Sequence, residues 1–234
     1  MDMLLPLDRQ YDSGFGAVAG SFKSAADALE TTPQGGGLHG HLPINFLFRH
    51  AIELYLKSCI IIMHRRFDIP YEASSNNEPT VPVNGKWKLL KEVHSLAPLY
   101  DRLKQIIKDN LDFLGALEYC DWDLPADLDK RIKLIDGMDS TSTFFRYPIT
   151  KDKPKDKQKS SVQPKAWDEM VSNMNTAGAK PTKAFVIVDD DYNVIESFDH
   201  DDDRMNAVMK ALKETAKDLC GLHMMTVWKL VERK

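Results

Sequence analysis

The apolar positions of the chain fall into blocks of helical period, separated by polar, glycine-rich and proline-rich stretches. In residues 11–30, "YDSGFGAVAGSFKSAADALE", Phe15, Val18, Phe22, Ala25 and Leu29 recur at helical spacing and predict an amphipathic helix, with glycines weakening its first half. "TTPQGGGLHGHLP" breaks that pattern. A second helix is predicted from Pro43, a favourable first-turn residue, to Arg66, and its Ile44–Met63 run should be deeply buried. Residues 68–86, rich in Pro, Asn and Ser, read as an irregular excursion. A third helix opens at "HSLAPLYDRL", with Ser95 as N-cap, Pro98 in the first turn, and Leu96, Leu99, Leu103 and Ile106 on one face.

Further along, "ADLDKRIKLID" (126–136) predicts a short helix and "STFFRYPI" (142–149) a strand ended by Pro148. The lysine-rich segment 151–165 reads as a mobile loop. "KAFVIVD" and "YNVIESF", β-rich runs around an acidic turn, predict a hairpin. A last long helix is predicted from Asp202 to Glu232, facing inward through Met205, Val208, Leu212, Leu219 and Leu222. No internal repeat is evident. The sum is one mainly α domain over residues 1–234: a helical bundle with a small antiparallel β insertion and basic loop at about 142–200, before the C-terminal helix.

Composition adds bounds. A chain of 234 residues can bury a sizeable core, and 43% hydrophobic with 28% charged residues is ordinary for a globular protein. A net charge of -4 argues against a surface that coats nucleic acid uniformly, though not against a local basic groove. Charge is segregated, basic in "KDKPKDKQKS" (151–160) and acidic in "DDDYNVIESFDHDDD" (189–203). Cys59, Cys120 and Cys220 are far apart with no CxxC pair, which disfavours a disulfide framework and a structural zinc site. Reduced thiols and a cytoplasmic location are the expectation. "MDMLLPLDRQYD" lacks the basic flank and long apolar core of a signal peptide. The Ile44–Met63 run is long enough to span a bilayer, but the charges within it mark a core helix, so no membrane contact is expected.

Those charges are the main lead to chemistry. At 100° per residue, Arg49, Glu53, Lys57 and His50 fall at about 0°, 40°, 80° and 100°. They share one arc, while Leu47, Phe48, Ala51, Ile52, Leu54 and Leu56 occupy the rest. His64 continues the arc beyond Ile60. Glu53 can pair with both Arg49 and Lys57 at four-residue spacing. Two readings stay open. The arc faces water, or it is a polar seam against another helix, where His94 is a natural partner for Glu53 and would have its tautomer fixed by it.

Other candidates carry less. His39 and His41 in "GGGLHGHLP" have no carboxylate or cysteine at matching spacing, so no metal is assigned. "GGG" lacks the strand, helix and lysine of a phosphate loop, and no cofactor is expected. The "DDD" runs at 189–191 and 201–203 do not match a calcium loop and read as a hairpin turn and a helix N-terminus. Trp87, Trp122, Trp167 and Trp228 are separated and expected to pack. Lys151–Lys165 is either a solvated loop or the best electrostatic candidate for contacting a phosphate backbone.

"LFRHAIELYLK" followed, past a loop, by "HSLAPLYDRL" resembles the HEPN superfamily, whose members often carry "R-H-A-h-E-h-h-L-K" (h apolar) and then a helix beginning "H-x-L". "DSTSTFFRYP" (139–148) also looks like a segment of some of its members, so the resemblance covers residues 44–148. It implies a four- or five-helix up-and-down bundle, commonly dimeric. Many such proteins are metal-independent ribonucleases of toxin–antitoxin or phage-defence systems; others are inactive nucleotide-binding or protein-interaction modules. The active type carries Arg, four to six residues, then His, which move a proton and stabilise a charged phosphorane. No arginine here has a histidine at that distance; Lys57 with His64 and Lys217 with His223 have the spacing with lysine instead. The resemblance therefore implies first a non-catalytic interaction or nucleotide- or nucleic-acid-associated module, expected as a homodimer, with RNA, a nucleotide or another protein as partner. The alternative is an atypical ribonuclease, with His94, Arg49 and Arg146 forming a composite catalytic site.

Overall fold

A computed structural model describes residues 5–32, 37–74, 77–176, 178, 183–201 and 205–231. The fold is mainly α, and it is organised around α2 (His41–Arg66), which is buried almost without break from Phe48 to His64. A helix apolar on nearly every side has to be enclosed. α1 (Phe15–Thr31), α3 (Leu96–Asp109) and α8 (Asn206–Leu230) pack around it, while α5 (Leu128–Met138) closes the bundle between α3 and α8.

α1 meets α2 through small residues. Gly16, Ala19 and Ala26 are buried, while the expected facing residues Phe15, Val18 and Phe22 are only partly covered, and Ala25 and Leu29 are exposed. Short side chains let two backbones approach closely, which rotates the helix away from the orientation its larger apolar residues suggest. The α3 face agrees with expectation: Leu96, Leu99, Leu103 and Ile106 are all buried. Its cap does not. The Ser95 hydroxyl donates to the carboxylate of Asp136 on α5, 3.0 Å away, and Asp136 itself accepts the Leu96 amide at 2.6 Å.

Three further segments depart from the sequence expectations. The excursion at 68–86 contains β1 (Thr80–Val83), which pairs with β2 (Lys86–Leu89). Asn84 and Gly85 between them both take left-handed backbone (φ 51° and 75°), the two-residue turn whose twist suits a hairpin. Residues 142–149 form turns, not a strand. There the Asp139 carboxylate accepts the amides of Thr143 (2.8 Å) and Phe144 (3.0 Å), bending the chain so that Phe144 and Phe145 enter the core. Residues 151–165 are ordered as α6 (Lys153–Lys159) and β3 (Val162–Pro164), rather than a loop. Asp152 caps α6, and the buried Lys159 ammonium holds the Tyr147 carbonyl (2.8 Å) and Asp156 (2.6 Å).

A short α4 (Leu111–Gly115) follows α3, and α7 (Trp167–Met174) follows β3. β4 (Lys183–Val188) and β5 (Val194–His200) form the expected hairpin, with β3 on the outer side of β5, so the antiparallel sheet runs β3-β5-β4. On α8, Val208, Leu212 and Leu219 are buried as expected; the predicted ends at Asp202 and Glu232 lie outside the described residues. Trp122 packs in the core, whereas Trp87, Trp167 and Trp228 are substantially exposed. Among the described residues no helix is long and apolar enough to cross a membrane.

Asp136 is the element-joining cap of the bundle. Asp136→Ala should lower stability by about 1–2 kcal/mol in chemical denaturation. Ser95→Ala should cost less, because the Leu96 amide keeps its acceptor. Equal losses would show that the hydroxyl, not the amide, holds the junction.

Candidate functional site

The polar arc of α2 faces protein, not water. Arg49, Glu53 and Lys57 are all buried, Arg49 with 0% exposure. Glu53 accepts Arg49 at 2.6 Å through Oε2, and Lys57 at 2.8 Å through Oε1. The same Oε1 lies 3.1 Å from Nδ1 of His94, so the ring is oriented as the seam reading expects. Burial pushes the Glu53 carboxyl up, but the charges of Lys57 and Arg49 outweigh it and hold the group below its ordinary range.

The cations then reach past Glu53 to backbone. Arg49 donates to the carbonyls of His94 and of Asp139, the latter at 3.3 and 3.4 Å, and its Nε lies 3.7 Å from the Asp139 carboxylate. Lys57 donates to the Lys91 carbonyl at 3.3 Å. These carbonyls belong to the segment entering α3 and to the residue that ends α5. Two cations and two carboxylates thus balance in charge, while loop carbonyls, which cannot be left bare in a core, find donors.

His50 stands apart from this network. Its ring stacks on Phe46 (centroids 5.7 Å) and meets the edge of Phe22 (4.5 Å), and its Nδ1 is buried without a hydrogen bond. Burial lowers its pKa, reinforced by Arg49, Arg146 and Lys57 against the pull of Glu53. Arg146 is exposed over the rings of Phe46 (5.1 Å) and Tyr147 (5.9 Å), on the His50 side. Thus Arg49 and His94 come together, but through the His94 backbone carbonyl, and no contact places Arg146 with them. The imidazole of His94 is 51% exposed. With Nδ1 toward Glu53, its Nε2 is left for solvent.

Farther along α2, His64 is neutral by construction. Nδ1 lies 3.0 Å from the Ile69 carbonyl, and Nε2 is 3.1 Å from the Arg102 guanidinium, which can only donate. Burial lowers its pKa to about 4, helped by Arg102 against the Ile69 carbonyl. His41, of the expected HxH pair, contacts the Lys159 carbonyl at 2.7 Å. Among the described residues no group of three or more His, Cys, Asp or Glu is placed to hold a metal.

A second polar cluster, on the opposite flank of α2, escaped the sequence reading. Asp12 precedes α1 and accepts the amides of Gly14 (2.9 Å) and Gly16 (2.6 Å) and the hydroxyl of Ser58 on α2 (2.5 Å). His223 on α8 lies 3.7 Å from it. Burial alone would raise the Asp12 pKa; the neighbouring His223, Ser58 and the two amides bring it down to about 2. Gly16 is required here, since a Cβ would overlap the His223 ring. The cluster floors a groove of about 710 Å³ between α1 and α8, walled by Tyr55, Met224, Val227 and Trp228. Cys220 also lines this groove, close to the Tyr55 hydroxyl. "YDSGFG" held a clue in an Asp just before a helix start, but Ser58 and His223 are joined to it only by the fold.

Comparison of the chain with protein-family profiles, with curated proteins and with solved structures finds no match.

The seam dictates a steep mutational response. Glu53→Gln leaves Arg49 and Lys57 buried without that counter-charge and should cost about 3–5 kcal/mol in denaturation. His94→Ala should cost about 1 kcal/mol or less, because its carbonyl still serves Arg49. Acid should also destabilise the fold. His64 is neutral in the folded state down to about pH 4, so from its ordinary value of 6.5 to about 4 the unfolded chain binds a proton that the folded chain refuses. Stability is therefore full above pH 6.5 and falls toward pH 4, a slope that denaturation midpoints measure and that His64→Gln should flatten.

Proposed function

We propose that the chain is a HEPN-like helical module that works by association, with itself and with a nucleotide, nucleic-acid or protein partner, rather than by catalysis. One observation carries this reading. Arg49, the arginine of the "RHAIELYLK" stretch, has no exposed surface, and its donors are committed to Glu53 and to the carbonyls of His94 and Asp139. A cation that stabilises a phosphorane needs donors aimed at the substrate, and this one has them aimed at backbone. Lys57 is spent in the same way. The basic segment is also partly consumed internally, with Lys155 on the Gly137 carbonyl and Lys159 buried.

A second reading, the metal-independent ribonuclease, rests on His94 itself. A half-exposed imidazole whose Nδ1 is held by a buried carboxylate has the arrangement of a positioned general base. The two readings separate cleanly. Purified protein incubated with mixed RNA at low salt in EDTA should leave the RNA intact. Cleavage by the wild type that disappears in folded His94→Ala would overturn the non-catalytic reading and make His94 catalytic.

A further inference from the structure

β4 is an edge strand charged only at its ends, by Lys183 at its start and the acidic turn after Val188. Its residues Phe185 and Ile187 are 45% and 49% exposed on one face, and Val186 and Val188 are 37% and 45% exposed on the other. Among the described residues β4 pairs with β5 alone. The N–H and C=O groups of alternate residues therefore point outward along its other edge. Edge strands are ordinarily blunted by a proline, an inward charge or a bulge. "AFVIV" contains neither of the first two, and the bulge lies on β5: Ile187 and Val188 pair with Glu196 and Val194, so the extra residue is Ile195 and β4 runs unbroken.

We propose that β4 pairs antiparallel with β4 of a second copy of this chain, joining two three-stranded sheets into one across a two-fold axis normal to the sheet. The strand is complementary to itself. A two-fold of this kind keeps each residue on its own face, and opposite residues in a ladder share a face. Partners must therefore be an even number of positions apart. The register centred on Val186 sets Val186 opposite itself, Phe185 opposite Ile187, Ala184 opposite Val188, and Lys183 opposite Asp189. Aromatic–β-branched pairs are favourable across strands, and so are opposite charges. At each end the ammonium of one copy meets the acidic turn of the other, where Asp190 and Asp191 are exposed beyond Asp189. On each face the pairing also sets the exposed apolar side chains of one β4 beside those of the other, which takes part of their area out of water.

This surface rests on the self-association in the reading above, and the test separates the two. Sedimentation of the full chain across the micromolar range should give twice the mass of one chain. Val186→Lys places two ammonium groups face to face and should weaken the dimer about tenfold or more, with the circular dichroism spectrum unchanged because the residue lies on the exposed sheet surface. Val186→Cys should form a disulfide-linked dimer under oxidised glutathione, above the background of the native cysteines. Ile187→Cys should not, since its twin sits diagonally, about 7–8 Å away. A dimer indifferent to Val186→Lys would overturn the β4 surface and leave self-association standing. A chain that stays monomeric overturns both. If Val186→Lys fails to fold, the cysteine pair decides alone.

Discussion

The bundle depends on a balanced set of buried charges that ties backbone to one helix. Arg49, Glu53 and Lys57 form a single strip on α2, and the outward ends of that strip grip the carbonyls of Lys91, His94 and Asp139. The Asp139 carbonyl stands at the C-terminal end of α5, where the helix dipole is negative and a guanidinium is favoured. Removing charges from water is costly, so the strip is tolerable only while every member is paired. A shift of α2 by one residue would rotate the strip by about 100° and strand two cations among leucines and isoleucines. Apolar packing resists such a slip far less, because one buried methyl resembles another. The network therefore sets register and orientation, while the surrounding Leu, Ile and Phe residues supply most of the burial.

The opposite flank of α2 uses the same device with one anion. Asp12 gathers two amides from the entry to α1 and the hydroxyl of Ser58, with His223 beside it. Where the seam satisfies carbonyls with cations, this cluster satisfies amides with a carboxylate. On both flanks the bare backbone groups at a chain reversal are held by an ion of the sign that they demand. In both places the ionised groups are consumed by the fold. The half-exposed ring of His94 is the part of the seam that still faces water.

Much of the seam was legible because it obeys a local rule. Helical periodicity alone places Arg49, Glu53 and Lys57 on one arc, and the choice of His94 as partner followed from its position at the next helix start. Periodicity has no means of saying what the arc faces, and it grouped His50 with residues whose network it does not join. The β1–β2 hairpin was available locally in the Asn84–Gly85 pair, and the proline-rich surroundings masked it. Other misses were not local at all. The Leu96 amide is capped by a residue 40 positions away, and Asp12 meets His223 from the other end of the chain. "STFFRYPI" has strand composition, yet one carboxylate at Asp139 captures two consecutive amides and turns it into the core. A competing local hydrogen bond of that kind overrides propensity.

The molecule consequently inverts the usual distribution twice, and the two inversions have different consequences. Charge inside α2 is closed on itself, with donors and acceptors matched within the chain. Apolar surface on β4 is open, with an outward backbone edge as well as exposed side chains on both faces. A closed defect specifies structure; an open one specifies contact, because an unpaired apolar edge persists in water only if it is covered or guarded. The acidic turn after Val188 provides the guard against indiscriminate pairing. In the pairing proposed above it would repel strands that bring acid to that end and accept one that brings a lysine, as the start of β4 itself does.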